Sequence, residues 1–199
     1  MSKVVVSDGR KTVQDGKDTE FRCFSASQEV VYGTVYDQRK YNFDLLRQTE
    51  DKAGLISESL PDCDIVRVHV GGDFFSLDYF NAWMDVARNF QDRLFYAYTK
   101  SLPYWIKSDI PDNFKLNASK GGKRDWLIEP CNLKFAEVVF SEQEAEEKEL
   151  EIDHDDSLAF KQDSNFGLLI HGIQPANTKA SKAWQIVRKA GKEFGKKAA

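Results

Sequence analysis

The segment HVGGDFF (residues 69–75) places two glycines and a carboxylate where a β-branched run meets a helical pattern. Because glycine lacks a side chain, Gly71 and Gly72 either form a turn with positive φ or expose backbone N–H and C=O groups to a ligand. Asp73 either stabilises the first turn of the following helix or supplies a negative charge for the ammonium group of a ligand. The segment therefore predicts a tight turn, and its functional interpretation is a ligand-binding loop.

Polar residues also follow the other predicted strands. In parallel α/β folds, ligands bind beyond the carboxyl ends of the strands. His171 is the histidine best placed for acid–base chemistry, and a hydrogen bond to a neighbouring strand end is its structural alternative. We assign no catalytic residue. The predicted ligand-binding residues are Gly71, Gly72, Asp73, Thr99, Lys100, Asn117, Ser119 and His171.

Strand and helix patterns alternate along most of the chain. Runs of β-branched and aromatic residues predict strands, and apolar residues spaced three and four apart predict helices. The clearest helix follows Ser76, which is a favourable N-cap residue. The predicted strands are residues 65–70, 93–99, 113–119, 133–140 and 166–171. The predicted helices include residues 37–48, 52–59 and 178–194, with a short one starting near Pro103.

Such alternation is typical of βα units around a parallel sheet. A full eight-unit barrel takes about 250 residues, whereas this chain has 199. We therefore predict an α/β fold with a mostly parallel sheet, as a partial (βα) barrel of about six strands. An open doubly wound sheet is the alternative. Residues 1–25 are predicted to be an N-terminal segment, interpreted as the remnant of a truncated first βα unit, and residues 26–199 a single α/β domain.

Composition restricts the function classes. The net charge of −4 and the pI near 5.5 argue against a broad nucleic-acid-binding surface. No apolar run is long enough to cross a bilayer, and the N-terminus lacks a secretory pattern, so a cytoplasmic location is expected. The acidic stretch 142–156 is predicted to be a solvated helix followed by a loop. Three widely spaced cysteines disfavour a disulfide framework and a zinc knuckle.

Four stretches of the chain together resemble a family of bacteriophage proteins called gene product 88. They are EFRCFSASQEVVY, VHVGGDFFSLDYFNAW, LFYAYTKSLPYW and FGLLIHGIQP. More distantly, that family is similar to the radical S-adenosylmethionine (SAM) enzymes, which are (βα) barrels with a 4Fe–4S cluster and a Gly-Gly-Glu motif that meets the amino group of SAM. The resemblance implies that Gly71, Gly72 and Asp73 bind SAM or an amino-acid-like ligand. It also implies that Cys23 lies in the zone of the cluster ligands.

The cysteine content departs from the radical SAM pattern. Such a cluster needs three neighbouring thiolates, whereas Cys63 and Cys131 precede predicted strands, at the opposite end of a parallel sheet from Cys23. SAM and a 4Fe–4S cluster are therefore expected as cofactors only if further cysteines are supplied.

Two hypotheses remain open. One is a SAM-using enzyme of the host cytoplasm whose cluster half is missing, degenerate or supplied by another chain, and its partner is a small-molecule ligand. The other is a non-catalytic phage accessory protein that keeps the fold as a scaffold for a protein partner. Neither hypothesis involves a membrane, and nucleic-acid binding is disfavoured by the acidic balance.

Overall fold

The computed structural model describes residues 2–17, 19–161 and 163–197, with side chains described up to residue 190. Within these ranges the elements, in chain order, are β1 (Lys3–Ser7), β2 (Arg10–Gln14), α1 (Phe24–Val31), α2 (Gly33–Gln48), α3 (Lys52–Ser59), β3 (Ile65–Val68), α4 (Leu77–Asn89), β4 (Leu94–Thr99), α5 (Leu102–Lys107), β5 (Phe114–Ser119), β6 (Phe135–Val139), α6 (Glu142–Glu147), β7 (Glu151–Ile152), α7 (Ser157–Lys161), β8 (Phe166–Leu169) and α8 (Lys179–Lys197). The short connection between β5 and β6 contains a 3-10 turn, Asp125–Leu127.

Among the described residues, six strands form the main sheet in the order β3-β4-β5-β6-β8-β7. The β3–β4, β4–β5 and β5–β6 pairs are parallel, with Val66 opposite Phe95 and Ala97 opposite Leu116. A helix connects β3 to β4 and another connects β4 to β5. The predicted α/β class with its six-stranded, mostly parallel sheet is thereby confirmed, and the strand order is compatible with a partial barrel and with an open sheet.

The chain divides into two compact units. Unit 1 comprises Met1–Gln38, Val138–Ile152 and Gly167–Ala199, and unit 2 comprises Arg39–Glu137 and Asp153–Phe166. All the predicted ligand-binding residues except His171 lie in unit 2. The boundary predicted after residue 25 stays a prediction.

The core of unit 2 joins one face of β3–β5 to the apolar side of α4. Alternation along the strands directs Phe95 and Leu116 to this face, where they belong to one buried cluster with Phe80 and Met84 of α4. The predicted N-cap is also confirmed, because the Ser76 hydroxyl accepts a hydrogen bond from a backbone N–H of the first turn. Burial of the apolar stripe thus fixes α4 against the strands that carry the site.

A single side chain fixes the point where α4 ends and β4 begins. Asn113, just before β5, donates from its amide nitrogen to the carbonyls of Ala87, Phe90 and Arg93 at 2.9, 3.1 and 3.0 Å. Carbonyls in the last turn of a helix have no partner within the helix. Asn113 therefore caps α4 from a residue that is distant in sequence.

Replacing Asn113 by aspartate should lower the free energy of unfolding by about 1–3 kcal/mol, because an acceptor would then face three carbonyl oxygens. Urea unfolding followed by circular dichroism measures the change. The preceding residue, Asp112, is exposed, so the reverse substitution Asp112→Asn serves as the control. Its expected effect on the free energy of unfolding is within about 0.5 kcal/mol. Equal stabilities of the two variants would contradict the capping role.

Unit 1 has a smaller core of its own. Ile170 is buried together with Ala180 and Ala183 of α8, and Phe140 and Trp184 pack against them. The predicted amphipathic C-terminal helix is therefore present. None of the helices in the described residues is both long and apolar enough to cross a membrane.

Candidate functional site

Asp73 is held beyond the end of β3 by three hydrogen bonds. Its carboxylate accepts from the N–H of Phe74 at 2.8 Å, the hydroxyl of Thr99 at 2.6 Å and the N–H of Lys100 at 2.8 Å. Thr99 is the last residue of β4, so the carboxylate ties the loop after β3 to the end of the neighbouring strand. The structural role of Asp73 is therefore to connect these two segments by hydrogen bonds, rather than to stabilise the first turn of α4.

Lys100 extends this chain of contacts to β5. Its ammonium group donates to the carbonyl and hydroxyl of Ser119 at 2.6 and 3.1 Å and to the carbonyl of Lys120 at 2.8 Å. The carboxyl ends of three parallel strands are thus joined by side chains. We call this set the rim, and it consists of Gly71, Gly72, Asp73, Thr99, Lys100 and Ser119.

The two glycines leave backbone open beside the fixed carboxylate. Gly72 has φ +96°, and a Cβ built on it would meet no atom within 4 Å. The backbone conformation explains why residue 72 is glycine, as the turn interpretation predicts. Among the described residues, the N–H groups of Gly71 and Gly72 have no hydrogen-bond partner. The loop therefore combines a turn with peptide groups that a ligand can reach.

A second glycine pair, after β5, provides a contrast. The N–H groups of Gly121 and Gly122 donate to the carboxylate of Asp125 at 2.7 and 3.0 Å. These peptide groups are occupied within the chain, so this loop does not offer an anion site of the kind that free N–H groups form.

A partly buried histidine, His69, lies two residues before the first residue of the rim. The predicted strand was too long, because β3 ends at Val68 and His69 has φ +64°. The Nε2 atom of His69 lies 2.8 Å from the hydroxyl of Tyr79. Burial lowers the pKa of His69 to about 4, although the charge of Asp73 opposes this shift. The imidazole is therefore neutral at pH 7.

His69 should make the protein less stable in mild acid, by about 1.5 kcal/mol between pH 6.5 and pH 5. The pKa of histidine in an unfolded chain is about 6.5, whereas in the folded protein it is about 4. The unfolded state therefore binds more protons in this window, and falling pH favours it. Asparagine tolerates positive φ and does not titrate here, so His69→Asn should remove this part of the pH dependence.

Urea unfolding at several pH values measures the His69 effect. His154 is exposed, so His154→Asn serves as the control and should retain the pH dependence of the wild-type protein. The assignment would be contradicted if His69→Asn and His154→Asn lost stability equally between pH 6.5 and pH 5.

The face of β3–β5 opposite the core is polar, and sequence reasoning missed it. The hydroxyls of Tyr96 and Tyr98 donate to the carboxylate of Asp156 at 3.2 and 3.0 Å, and Arg67 forms an ion pair with the same carboxylate. Burial and then the charge of Asp156 raise the pKa of Tyr96 to about 12. Both tyrosines therefore act as neutral donors. We call Arg67, Tyr96, Tyr98 and Asn117 the polar face.

The strand residues of this polar face could have been predicted from the sequence. Arg67, Tyr96, Tyr98 and Asn117 stand at alternate positions among apolar neighbours, and a period of two directs them to one side of a sheet. No pattern in the sequence indicated that Asp156 would contact these residues. Asp156 lies at the end of the acidic stretch predicted to be solvated, and that prediction holds for α6 but is wrong for residues 153 and 156.

Three predicted residues lie outside the rim. Asn117 is fully buried, and its amide donates to the carbonyls of Ala97 at 3.3 Å and Ala159 at 3.0 Å. His171 and Cys23 belong to unit 1 and are both exposed. The Nδ1 atom of His171 lies 3.2 Å from the carbonyl of residue 169, where β8 ends. The backbone N–H of Cys23 donates to the hydroxyl of residue 2 at 3.2 Å.

The described side chains do not supply the ligands of a metal cluster. Within those residues, no three His, Cys, Asp or Glu side chains are grouped so that they could hold a metal ion. Cys23, Cys63 and Cys131 are all free thiols. Iron–sulfur clusters are held mainly by cysteine thiolates, so the residues present do not fit a 4Fe–4S cluster.

Comparisons with known proteins identify relatives of the chain. The Gene 88 protein of Mycobacterium phage D29 is 29% identical over 150 residues, which cover 62% of this chain and 60% of that protein. The Gene 88 protein of Mycobacterium phage L5 is 33% identical over 108 residues, which cover 47% of this chain and 45% of that protein. The matched segments therefore span less than two thirds of each relative. No solved structure matches the chain.

The family model described as gene product 88 matches residues 9–189. This range includes all the rim and the polar face, and it agrees with the resemblance seen in the sequence. The chain belongs to the gene product 88 family.

Proposed function

We propose that this gene product 88 protein binds a small amino-acid-like ligand, with SAM as the first candidate, at the rim of unit 2. The observation that carries the proposal is the pairing of an oriented carboxylate, Asp73, with the open peptide groups of Gly71 and Gly72. A carboxylate accepts hydrogen bonds from an ammonium group, and free N–H groups bind a carboxylate. The rim therefore offers a negative charge for the ammonium group of an amino acid and hydrogen-bond donors for its carboxylate.

The hydrogen bonds within the rim support this assignment. A carboxylate has about four lone-pair sites, and three donors already bond to Asp73. They fix the position of the carboxylate and leave acceptor capacity for a ligand ammonium group. Lys100 directs its own ammonium group to the end of β5, which favours Asp73 as the charge that a ligand would meet.

The more distant similarity to radical SAM enzymes remains a prediction, and our proposal includes no cluster chemistry. The described cysteines do not fit a cluster, and the rim contacts do not identify a catalytic residue. We place the protein in the cytoplasm of the infected host, where SAM and amino acids are available. The proposed role is ligand binding, and a reaction is not part of it.

A second candidate function is a non-catalytic interaction protein. It is supported by large apolar side chains that remain exposed, including Tyr41 (62%) and Trp126 (65%) in unit 2 and Ile186 (70%) in unit 1. Affinity capture from phage-infected cells distinguishes this function, since it requires a specific protein partner. Capture without any specific partner would count against it.

Titration calorimetry with SAM and with methionine tests the proposed ligand site. We expect saturable binding by the wild-type protein and at least about tenfold weaker binding by Asp73→Asn, which loses the negative charge. Gly71 is not among the glycines with positive φ, so Gly71→Ala adds a methyl group without that strain and should also weaken binding. Asp78→Asn, on the exposed first turn of α4, is the control.

Absence of binding by the folded wild-type protein to both compounds would contradict the proposal. Equal affinities of Asp73→Asn and Asp78→Asn would also contradict it, provided that circular dichroism shows both variants to be folded.

A further inference from the structure

The polar face converges on a single carboxylate. Arg67 on β3 and Tyr96 and Tyr98 on β4 all donate to Asp156. A guanidinium and two neutral hydroxyls form a donor set that suits an anionic oxygen acceptor such as a carboxylate. The donors stand on paired strands of the sheet, whereas the acceptor belongs to the short segment 153–161 between β7 and β8. The donors are therefore positioned independently of the group that they bind.

The backbone of Asp156 is in a conformation that L-residues disfavour. Its φ is +65°, in the left-handed region that aspartate tolerates better than most residues but still populates rarely. The described contacts of its side chain are those with the three donors. These contacts hold residue 156 in this conformation.

The polar face and Asp153 contain buried polar atoms that lack partners among the described residues. The Nε atom of Arg67, the Oδ1 atom of Asn117 and the Oδ2 atom of Asp153 have no hydrogen-bond partner among the described residues. Asn117 is 0% exposed and Asp153 is 7% exposed. More than about 90% of buried polar groups in folded proteins are paired with protein or water. One donor and one acceptor of the polar face are therefore unpaired, and a second unpaired acceptor belongs to Asp153, whose charge acts on Tyr98.

We propose that Arg67, Tyr96 and Tyr98 form a binding site for a small organic acid with additional hydrogen-bond donors, and that Asp156 occupies this site when the acid is absent. The carboxylate of the acid takes the place of the Asp156 carboxylate. Its additional donors bond to the oxygens of Asn117 and Asp153. The Asp156 side chain acts as a tethered competitor and is displaced when the acid binds, whereas Asp153 and the buried Ala159 stay in place.

A tethered competitor lowers the apparent affinity of the wild-type site, because an attached group has an effective concentration of about millimolar or higher. The wild-type protein should therefore bind a free acid weakly. A variant that lacks the Asp156 carboxylate should bind it at least about tenfold more tightly. This expectation does not depend on the rim, since neither Asp73 nor the glycine loop takes part.

The decisive variant is Asp156→Gly, since glycine suits φ +65° and removes the carboxylate. Titration with acetate and glycolate is followed by calorimetry and by the melting temperature. We expect Asp156→Gly to bind both acids more tightly than wild type, with glycolate ahead because its hydroxyl adds a donor. Glu149→Gly is the matched control, because Glu149 is exposed with φ +54°, and it should bind like the wild-type protein. Combining Asp156→Gly with Arg67→Met should abolish binding.

The proposal would be overturned if Asp156→Gly bound acetate no better than Glu149→Gly, or if binding survived Arg67→Met. Tighter binding of inorganic phosphate than of acetate would also overturn it, because the site would then not be selective for a carboxylate. If Asp156→Gly does not fold, Asp156→Asn, which tolerates the same φ and loses the negative charge that pairs with Arg67, should bind glycolate more tightly than the wild-type protein, and unchanged binding would refute the site. Arg67 lies outside the rim, so loss of acetate binding in the Arg67→Met variant also separates this site from the rim.

Discussion

Replacing Asp73 by alanine is expected to lower the free energy of unfolding by about 2–4 kcal/mol. The substitution leaves the N–H of Lys100 and the hydroxyl of Thr99 without their acceptor, and Thr99 is only 1% exposed. A buried donor without a partner costs about 1–3 kcal/mol, and hydrogen bonds to a charged group are stronger than neutral ones. The loop after β3 would lose its attachment to β4. Urea unfolding measures the change.

Asp78 provides the control for this prediction. Its carboxylate is exposed and lies 2.7 Å from the ammonium group of Lys52, and exposed ion pairs contribute about 0–1 kcal/mol. Asp78→Ala should therefore be close to wild type. If Asp73→Ala proved as stable as Asp78→Ala, the carboxylate would not hold the rim together.

Replacing Phe80 by alanine is expected to lower the free energy of unfolding by about 3–5 kcal/mol. The ring is fully buried, and its centroid lies 4.7 Å from that of Phe74 and 6.4 Å from that of Tyr104. Alanine would remove apolar contacts and leave a cavity between α4, α5 and the residue that follows Asp73. Removal of the Phe80 ring should therefore also weaken the packing that supports the rim.

An exposed residue of the same helix tests whether burial causes the Phe80 effect. Leu77, at the start of α4, is exposed, so Leu77→Ala should cost no more than about 1 kcal/mol. Both variants can be compared by urea unfolding, in which an unchanged m-value shows that only the stability differs. Similar losses for the two substitutions would contradict the assignment of Phe80 to the core.

The fold was largely predictable because its signals are local and periodic. The helix Lys52–Ser59 has the predicted bounds, and the central strands of the sheet differ from prediction by one or two residues at their ends. The exception at His69 has a physical reason, since a positive φ is rare outside glycine and no pattern indicates it. Helix α7 was missed because its five residues are too few to show a helical period.

The rim was predictable for a geometric reason. Parallel strands present their carboxyl ends at one edge of a sheet, so residues after successive strands meet, as Asp73, Thr99, Lys100 and Ser119 do. Which side chains bond to each other was not predictable, because that depends on distances across strands. The approach of Asp156 to the polar face was likewise hidden, since the contact joins residues 89 positions apart.

Amide chemical shifts recorded while SAM is added to the 15N-labelled protein test the central claim most directly, which is that the open glycine backbone beside Asp73 binds an amino-acid-like ligand. We predict saturable shifts for Gly71, Gly72 and the adjacent rim residues. The signals of Gly121 and Gly122, whose N–H groups already bond to a carboxylate within the chain, should stay in place. Unchanged signals from Gly71 and Gly72 at millimolar SAM, in a protein shown to be folded, would contradict the claim.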